Sequence, residues 1–220
     1  MAAPRGRRRR GGVVSRDTLL SELASRVSAL DRPAVVAIDG GDGAGKTTLA
    51  DELAVLVPGA VRASIDDFHH PRAYRHALGR TAATVWARTF DLDALRRELL
   101  DPWRCGPGTP YRRRRHDLAT DAYVDDPPDV VPADGVLVVD GVFAQRPELV
   151  DAWDLVVYVH ADASVRVARM ASRDGVPDDP DHPDQRRYLE AQRLYRDRCR
   201  PSERADVVVD NTDSDAPAIR

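Results

Sequence analysis

Five short, valine-rich apolar runs punctuate the chain, at residues 34–39, 60–66, 135–140, 154–160 and 205–210. Each has strand length and is continuously apolar rather than alternating. That pattern predicts strands buried on both faces of a parallel sheet. Elsewhere the apolar positions shift to helical spacing. Leu19, Leu20, Leu23, Val27 and Leu30 mark a helix over 15–30, with Ser15 or Asp17 as cap and Pro33 as its end. Segments 47–57, 91–100, 163–173 and 186–198 read as further helices. Strand and helix in alternation predict a three-layer α/β domain: a five-stranded parallel sheet, helices on both faces and right-handed crossovers. Residues 101–134 and 174–185 are proline-broken and rich in Asp, and are expected to be irregular, as a lid or insert is.

Four of the five runs end in an aspartate: Asp39, Asp66, Asp140 and Asp210. Ligands of open α/β sheets bind beyond the carboxyl ends of the strands, so these acids are placed where chemistry can occur. An aspartate there can equally start a turn, and Asp210-Asn211 is read that way.

Composition narrows the class. With 220 residues and 42 % hydrophobic content, one well-packed domain is expected. No apolar run approaches the roughly 20 residues of a membrane helix. The net charge is −3, yet residues 1–12 hold five arginines and no acid. Residues 1–14 are expected to be a disordered basic tail, and 15–220 the folded domain. No apolar stretch follows the arginines as a secretory signal requires, so a cytoplasmic location is expected. Cys105 and Cys199 lie in no CxxC pair and read as incidental thiols. Of 33 basic residues, a single one is lysine, Lys46.

That lysine stands inside Gly40-Gly41-Asp42-Gly43-Ala44-Gly45-Lys46-Thr47, which fits G-x-x-x-x-G-K-[ST] between a predicted strand and a predicted helix. Glycines let consecutive backbone amides turn toward phosphate oxygens, and the helix beginning here adds its positive end. Lys46 would reach the β- and γ-phosphates of ATP, and Thr48 continues the loop. The Thr47 hydroxyl would take part in a Mg²⁺ shell, with Asp140 at the end of its own apolar run as the second metal residue. Phosphoryl transfer to an alcohol also needs a carboxylate to orient the hydroxyl and accept its proton. Asp66 is the first candidate, and the adjacent Asp67 the alternative.

The loop 40–48, Ile65-Asp66-Asp67-Phe68-His69, Phe90-Asp91-Leu92-Asp93-Ala94-Leu95, Tyr111 to Asp117, Asp140-Gly141-Val142-Phe143 and 166–174 occur in this order, followed by 188–195 and 205–211. The series resembles the uridine kinase and phosphoribulokinase branch of the P-loop kinases over nearly all of the chain after about residue 15. The resemblance implies a P-loop NTPase fold with a lid and ATP- and Mg²⁺-dependent phosphorylation of a small-molecule hydroxyl, foremost the 5′-hydroxyl of a pyrimidine nucleoside. It implies Asp66 as catalytic carboxylate with Lys46, and Asp91, Tyr111, His116 and Tyr188 as acceptor-side residues. It also implies Arg166, Arg169 and Arg173 as lid arginines on the triphosphate. Their spacing of three and four puts them on one helical face.

The departures from the pattern fall on the acceptor side: Asp67 where Gly or Ser is common, Trp86 in a stretch lacking the usual tyrosines, and Arg112 to Arg115 after Tyr111. Pantothenate or a sugar phosphate therefore stays open as acceptor. A nucleotide-driven switch using the basic tail is the reading from another class. The tail lacks interleaved aromatics for base stacking, so neither nucleic acid nor membrane is expected as a partner. A homo-oligomer remains open.

Overall fold

Strand β1 (Ala34–Gly40) is buried along its whole length. Its side chains alternate between two separate cores, as the two-residue period of a strand requires. Val35 and Ala37 enter one core with Phe68, Leu95, Leu99 and Trp103. Ala34, Val36 and Ile38 enter the other with Leu19, Leu23, Leu49 and Leu53. A strand with a core on each side must be apolar throughout, which explains the continuous run in the sequence.

The structure, a computed structural model, describes residues 12–175 and 179–220. The remaining strands of the main sheet are β2 (Ala60–Ser64), β3 (Val136–Gly141), β4 (Leu155–His160), β5 (Val207–Asp210) and β6 (Ala218–Ile219). Their order across the sheet is β6-β5-β4-β1-β3-β2. The five expected strands are parallel to one another. The sixth, β6, was not expected and pairs antiparallel with β5. Of the expected basic tail, residues 1–11 lie outside the described residues. Val13 forms an antiparallel bridge with Ala218 at the sheet edge.

Helix α1 (Arg16–Ser28) is capped by Ser15, whose side chain accepts from the Thr18 amide. Helix α2 (Lys46–Leu56) follows the glycine loop directly. Helices α3 (Ala163–Asp174) and α4 (Pro183–Cys199) follow β4, the second starting three residues before its expected limit. Residues 176–178 of the expected lid loop lie outside the described residues.

Three boundaries differ from expectation. Strand β2 stops at Ser64, and Ile65–Phe68 forms a 3₁₀ turn, because the Ser64 side chain accepts from the Asp66 amide and closes it. Asp66 is thus a turn residue, not a strand end. The segment expected to be loop from 101 begins as helix, continuing Leu92–Leu95 and a π-turn through Asp101–Cys105, with Pro102 in the first turn where its missing N–H is harmless. Helices Arg72–His76 and Ala82–Arg88 lie in a stretch with no clear periodicity.

Helix α2 offers an internal comparison. Leu53 is fully buried and Leu56 is 49 % exposed. Leu53→Ala should cost about 2–5 kcal/mol in urea unfolding, and Leu56→Ala within about 0.5 kcal/mol.

Candidate active site

The glycine loop leaves β1 between its neighbours β3 and β4, neither of which is next to it in sequence. This is the crevice where α/β sheets bind ligands. Gly43 and Gly45 adopt φ of +73° and +91°. A Cβ at Gly43 would collide with the Arg166 carbonyl oxygen, and one at Gly45 would lie 2.5 Å from Asn211 Nδ2. Both conformation and space therefore demand glycine.

The carbonyl oxygens of the loop are held from outside. Gly41 O accepts from Lys46 Nζ at 3.0 Å and from the Ala44 amide at 3.2 Å. Asp42 O and Gly43 O each receive an arginine, Arg166 and Arg169, at 3.5 Å. Ala44 O accepts from Asn211 Nδ2 at 2.8 Å. Arg169 also donates to Asn211 O at 3.1 Å and Thr212 O at 3.2 Å. Gln192 of α4 accepts from Arg166 and donates to the Asp42 carboxylate at 2.7 Å. Arg173, on the last turn of α3, is exposed. Of the expected three arginines, Arg166 and Arg169 are seen in contact with the loop. Asn211, read as part of a simple turn, is a buried brace of the loop.

Parallel pairing in register sets Ile38 against Asp140, so the Asp140 carboxylate emerges beside the loop. Thr47 Oγ1 donates to Asp140 Oδ2 at 2.6 Å. A hydroxyl and a carboxylate in contact are the donor set of a hard cation that takes its other oxygens from phosphate and water. Among the described residues, no group of three or more His, Cys, Asp or Glu could hold a metal by itself.

Sequence reasoning did not single out the chemistry at the root of the loop. Asp39 is completely buried and accepts from the Gly40 amide at 2.8 Å, from Gln145 Nε2 at 3.0 Å and from the Tyr195 hydroxyl. Burial pushes its carboxyl up, and these donors pull it back. An aspartate ending an apolar run was the available signal; its partners, about 105 and 155 residues away, left none.

On the acceptor side, Asp66 opens to solvent from the cleft while protein surrounds most of it. That desolvation, with the charges of Asp42 and Asp140 outweighing Lys46, pushes its carboxyl up to about 6. Desolvation likewise raises Asp67. His69 Nδ1 lies 2.5 Å from the Asp66 carbonyl oxygen, to which it donates. Burial lowers His69 to about 4, so it is neutral at pH 7. The Arg115 amide donates to Asp67 O at 3.0 Å and ties the 116–123 hairpin to the turn. His116 is fully buried there, with neither ring nitrogen hydrogen-bonded; Asp121 is 3.3 Å from Nε2.

Asp91 reaches the same turn through its amide, which donates to Phe68 O at 2.8 Å. One of its carboxylate oxygens caps the following helix at Ala94, and the other lies 3.7 Å from Arg115. Tyr188 lines a cavity of about 40 Å³ with His69, Arg75, His76, Arg80 and Arg187. Tyr111 is a correction: its ring packs against Trp103 at 5.4 Å and is part of the core. An aromatic residue near polar neighbours in sequence does not reveal which way it points. The arginine run is also resolved. Arg113 pairs with Asp129 at 2.7 Å, Arg114 with Asp126 at 2.5 Å, and Arg115 with Glu98.

No family model matches the chain. Among curated proteins, it is 33 % identical over 153 residues to a uridine kinase of Halobacterium salinarum, covering 64 % of this chain and 62 % of that protein. It is 30 % identical over 151 residues to the uridine kinase of Saccharomyces cerevisiae, covering 64 % of this chain and 29 % of that one. The chain thus spans less than two thirds of either relative. A solved structure described as a possible uridine kinase from Bacillus stearothermophilus superposes with a TM-score of 0.66 at 23 % identity, covering 87 % of this chain and 97 % of that one. Fold and phosphate loop define the class: the chain has the fold of the P-loop kinases and carries a phosphate-loop motif at the carboxyl edge of its parallel sheet. Its relatives within that class carry the name uridine kinase.

Gly43→Ala should lower affinity for ADP about 5- to 150-fold in calorimetric titration, since a strained φ of this kind costs about 1–3 kcal/mol.

Proposed function

We propose that this chain transfers the γ-phosphate of ATP to a hydroxyl of a small molecule, the 5′-hydroxyl of uridine or cytidine being the first candidate. The observation that carries the reading is Asp66. It is a carboxyl reachable from the cleft, close enough to Lys46 and Asp140 to feel both charges, and tuned toward neutrality. A general base works best when its pKa lies near the working pH.

In this reading the acceptor hydroxyl gives its proton to Asp66 as its oxygen bonds to the γ-phosphorus. The bond from that phosphorus to the β–γ bridging oxygen breaks, and ADP departs. Lys46, Arg166 and Arg169 stabilise the charge that shifts onto the phosphate oxygens. Thr47 and Asp140 would hold Mg²⁺, which offsets phosphate charge. His116, fully buried with Asp121 3.3 Å from its Nε2, would act in this reading from behind the acceptor side rather than at its surface.

One observation favours a second acceptor class. The cavity of about 40 Å³ beside His69 and Tyr188 has Arg75, Arg80 and Arg187 in its lining, with Asp121 3.6 Å from Arg75. A lining of that charge suits the anionic end of an alcohol such as pantothenate or a sugar phosphate. The larger cavity of about 480 Å³ at Arg112, Arg113 and Arg114 does not add to this case, because Asp126 and Asp129 already answer its arginines.

The test is ADP release with ATP and Mg²⁺ across uridine, cytidine, adenosine, pantothenate and ribulose 5-phosphate. Stimulation by uridine or cytidine alone supports the first reading, and by an anionic alcohol alone the second. Absence of stimulation by any of them counts against both.

Asp66→Asn should leave ADP binding intact and cut turnover about 10²–10⁴-fold. Because the base must be ionised, wild-type kcat/KM should fall about tenfold per pH unit below pH 6. The same decline in the Asn variant would assign that titration elsewhere.

A further inference from the structure

Arg62 lies at the middle of β2, the edge strand beside β3, and was not marked by any motif. All three nitrogens of its forked guanidinium donate hydrogen bonds. NH1 donates to Val138 O at 2.7 Å and Ala63 O at 3.0 Å, fixing it to the backbone of two strands. Nε donates to Asp51 Oδ1 of α2 at 2.9 Å. NH2 donates to Asp140 Oδ1 at 2.9 Å. The acid assigned to the cation thus has both oxygens engaged, Oδ1 by Arg62 and Oδ2 by Thr47.

Two consequences follow from this geometry. First, Asp140 cannot rotate freely, and Oδ2 alone remains beside the Thr47 hydroxyl. Second, a fixed positive charge stands against the carboxylate that would otherwise attract a bare divalent ion. Asp51 balances that charge only in part, its side chain being 63 % exposed. Lys46 adds positive charge from the loop, while Asp66 and Asp67 add negative charge on the acceptor side. The charge nearest the Asp140 carboxylate is Arg62, 2.9 Å from Oδ1, and it opposes a bare cation there until phosphate brings negative charge of its own.

We propose that Arg62 is a positioning residue of the cation site: it orients Asp140 and makes the site accept a divalent cation with nucleotide phosphates rather than alone. The proposal rests on Thr47 and Asp140 being the cation residues, and is independent of which acceptor the kinase uses.

The test measures Mn²⁺ binding by electron paramagnetic resonance, with and without ADP, and needs no turnover. Arg62→Met should bind free Mn²⁺ about tenfold more tightly than wild type, since second-shell charges act at this scale even when partly solvated. Arg62→Lys keeps the charge but loses the fork. It should leave free Mn²⁺ binding weak and lower affinity for Mn²⁺ with ADP. If Arg62→Met does not fold, Arg62→Gln replaces it, retaining a donor for Val138 O without charge. Free Mn²⁺ affinity within twofold of wild type in the uncharged variant would overturn the proposal. Asp140→Asn is the control: unchanged Mn²⁺–ADP binding there would refute the cation assignment itself, and the proposal with it.

Discussion

A phosphate loop can offer its amides inward only if its carbonyl oxygens are satisfied elsewhere. In this chain those of Gly41, Asp42, Gly43 and Ala44 are taken by four side chains from three places: Lys46, Arg166 with Arg169, and Asn211. An unpaired buried carbonyl costs about 1–3 kcal/mol, so a loop without these partners would twist toward whatever donor it could find. Helix α3 and the end of the last parallel strand thereby brace the loop. Arg16 extends the brace to α1 by donating to Asn211 Oδ1 at 3.1 Å and pairing with Glu52 at 2.7 Å.

Below the loop, Asp39 repeats the principle in a setting without water. A buried carboxylate is tolerable when several donors converge on it, and Gly40, Gln145 and Tyr195 do so. Tyr195 also accepts from the Gln145 amide at 2.9 Å. It packs with Phe143 at 5.2 Å and Trp86 at 6.2 Å, linking α4 to the helix over Ala82–Arg88. One network thus joins the root of the nucleotide loop to the wall of the acceptor side.

The two sides of the site differ in how they are built. Neighbours in the sheet hold the nucleotide side: the register of β1 and β3 alone brings Thr47 and Asp140 together. Short turns and hairpins hold the acceptor side, joined by single contacts such as Arg115 to Asp67 O and the Phe68–Asp91 pair. Such segments can change composition without disturbing the sheet. The arginine run shows this, the charges of Arg113 and Arg114 being absorbed by acids 16 and 12 residues further along.

The sequence by itself determined what depends on near neighbours. Continuous apolar runs specify buried parallel strands, and the spacing of Gly40, Gly45, Lys46 and Thr47 specifies a phosphate loop at the junction of a strand and a helix. An acid closing an apolar run placed Asp140 at the carboxyl edge. Only the tertiary structure decided what depends on distant partners. It turned Tyr111 onto Trp103, and set Arg62 against Asp140 and Asn211 beneath the loop. The physical reason is range. Periodicity and turn chemistry act over a few residues, whereas a hydrogen bond across a sheet is chosen by register and packing, and leaves no mark on the local sequence.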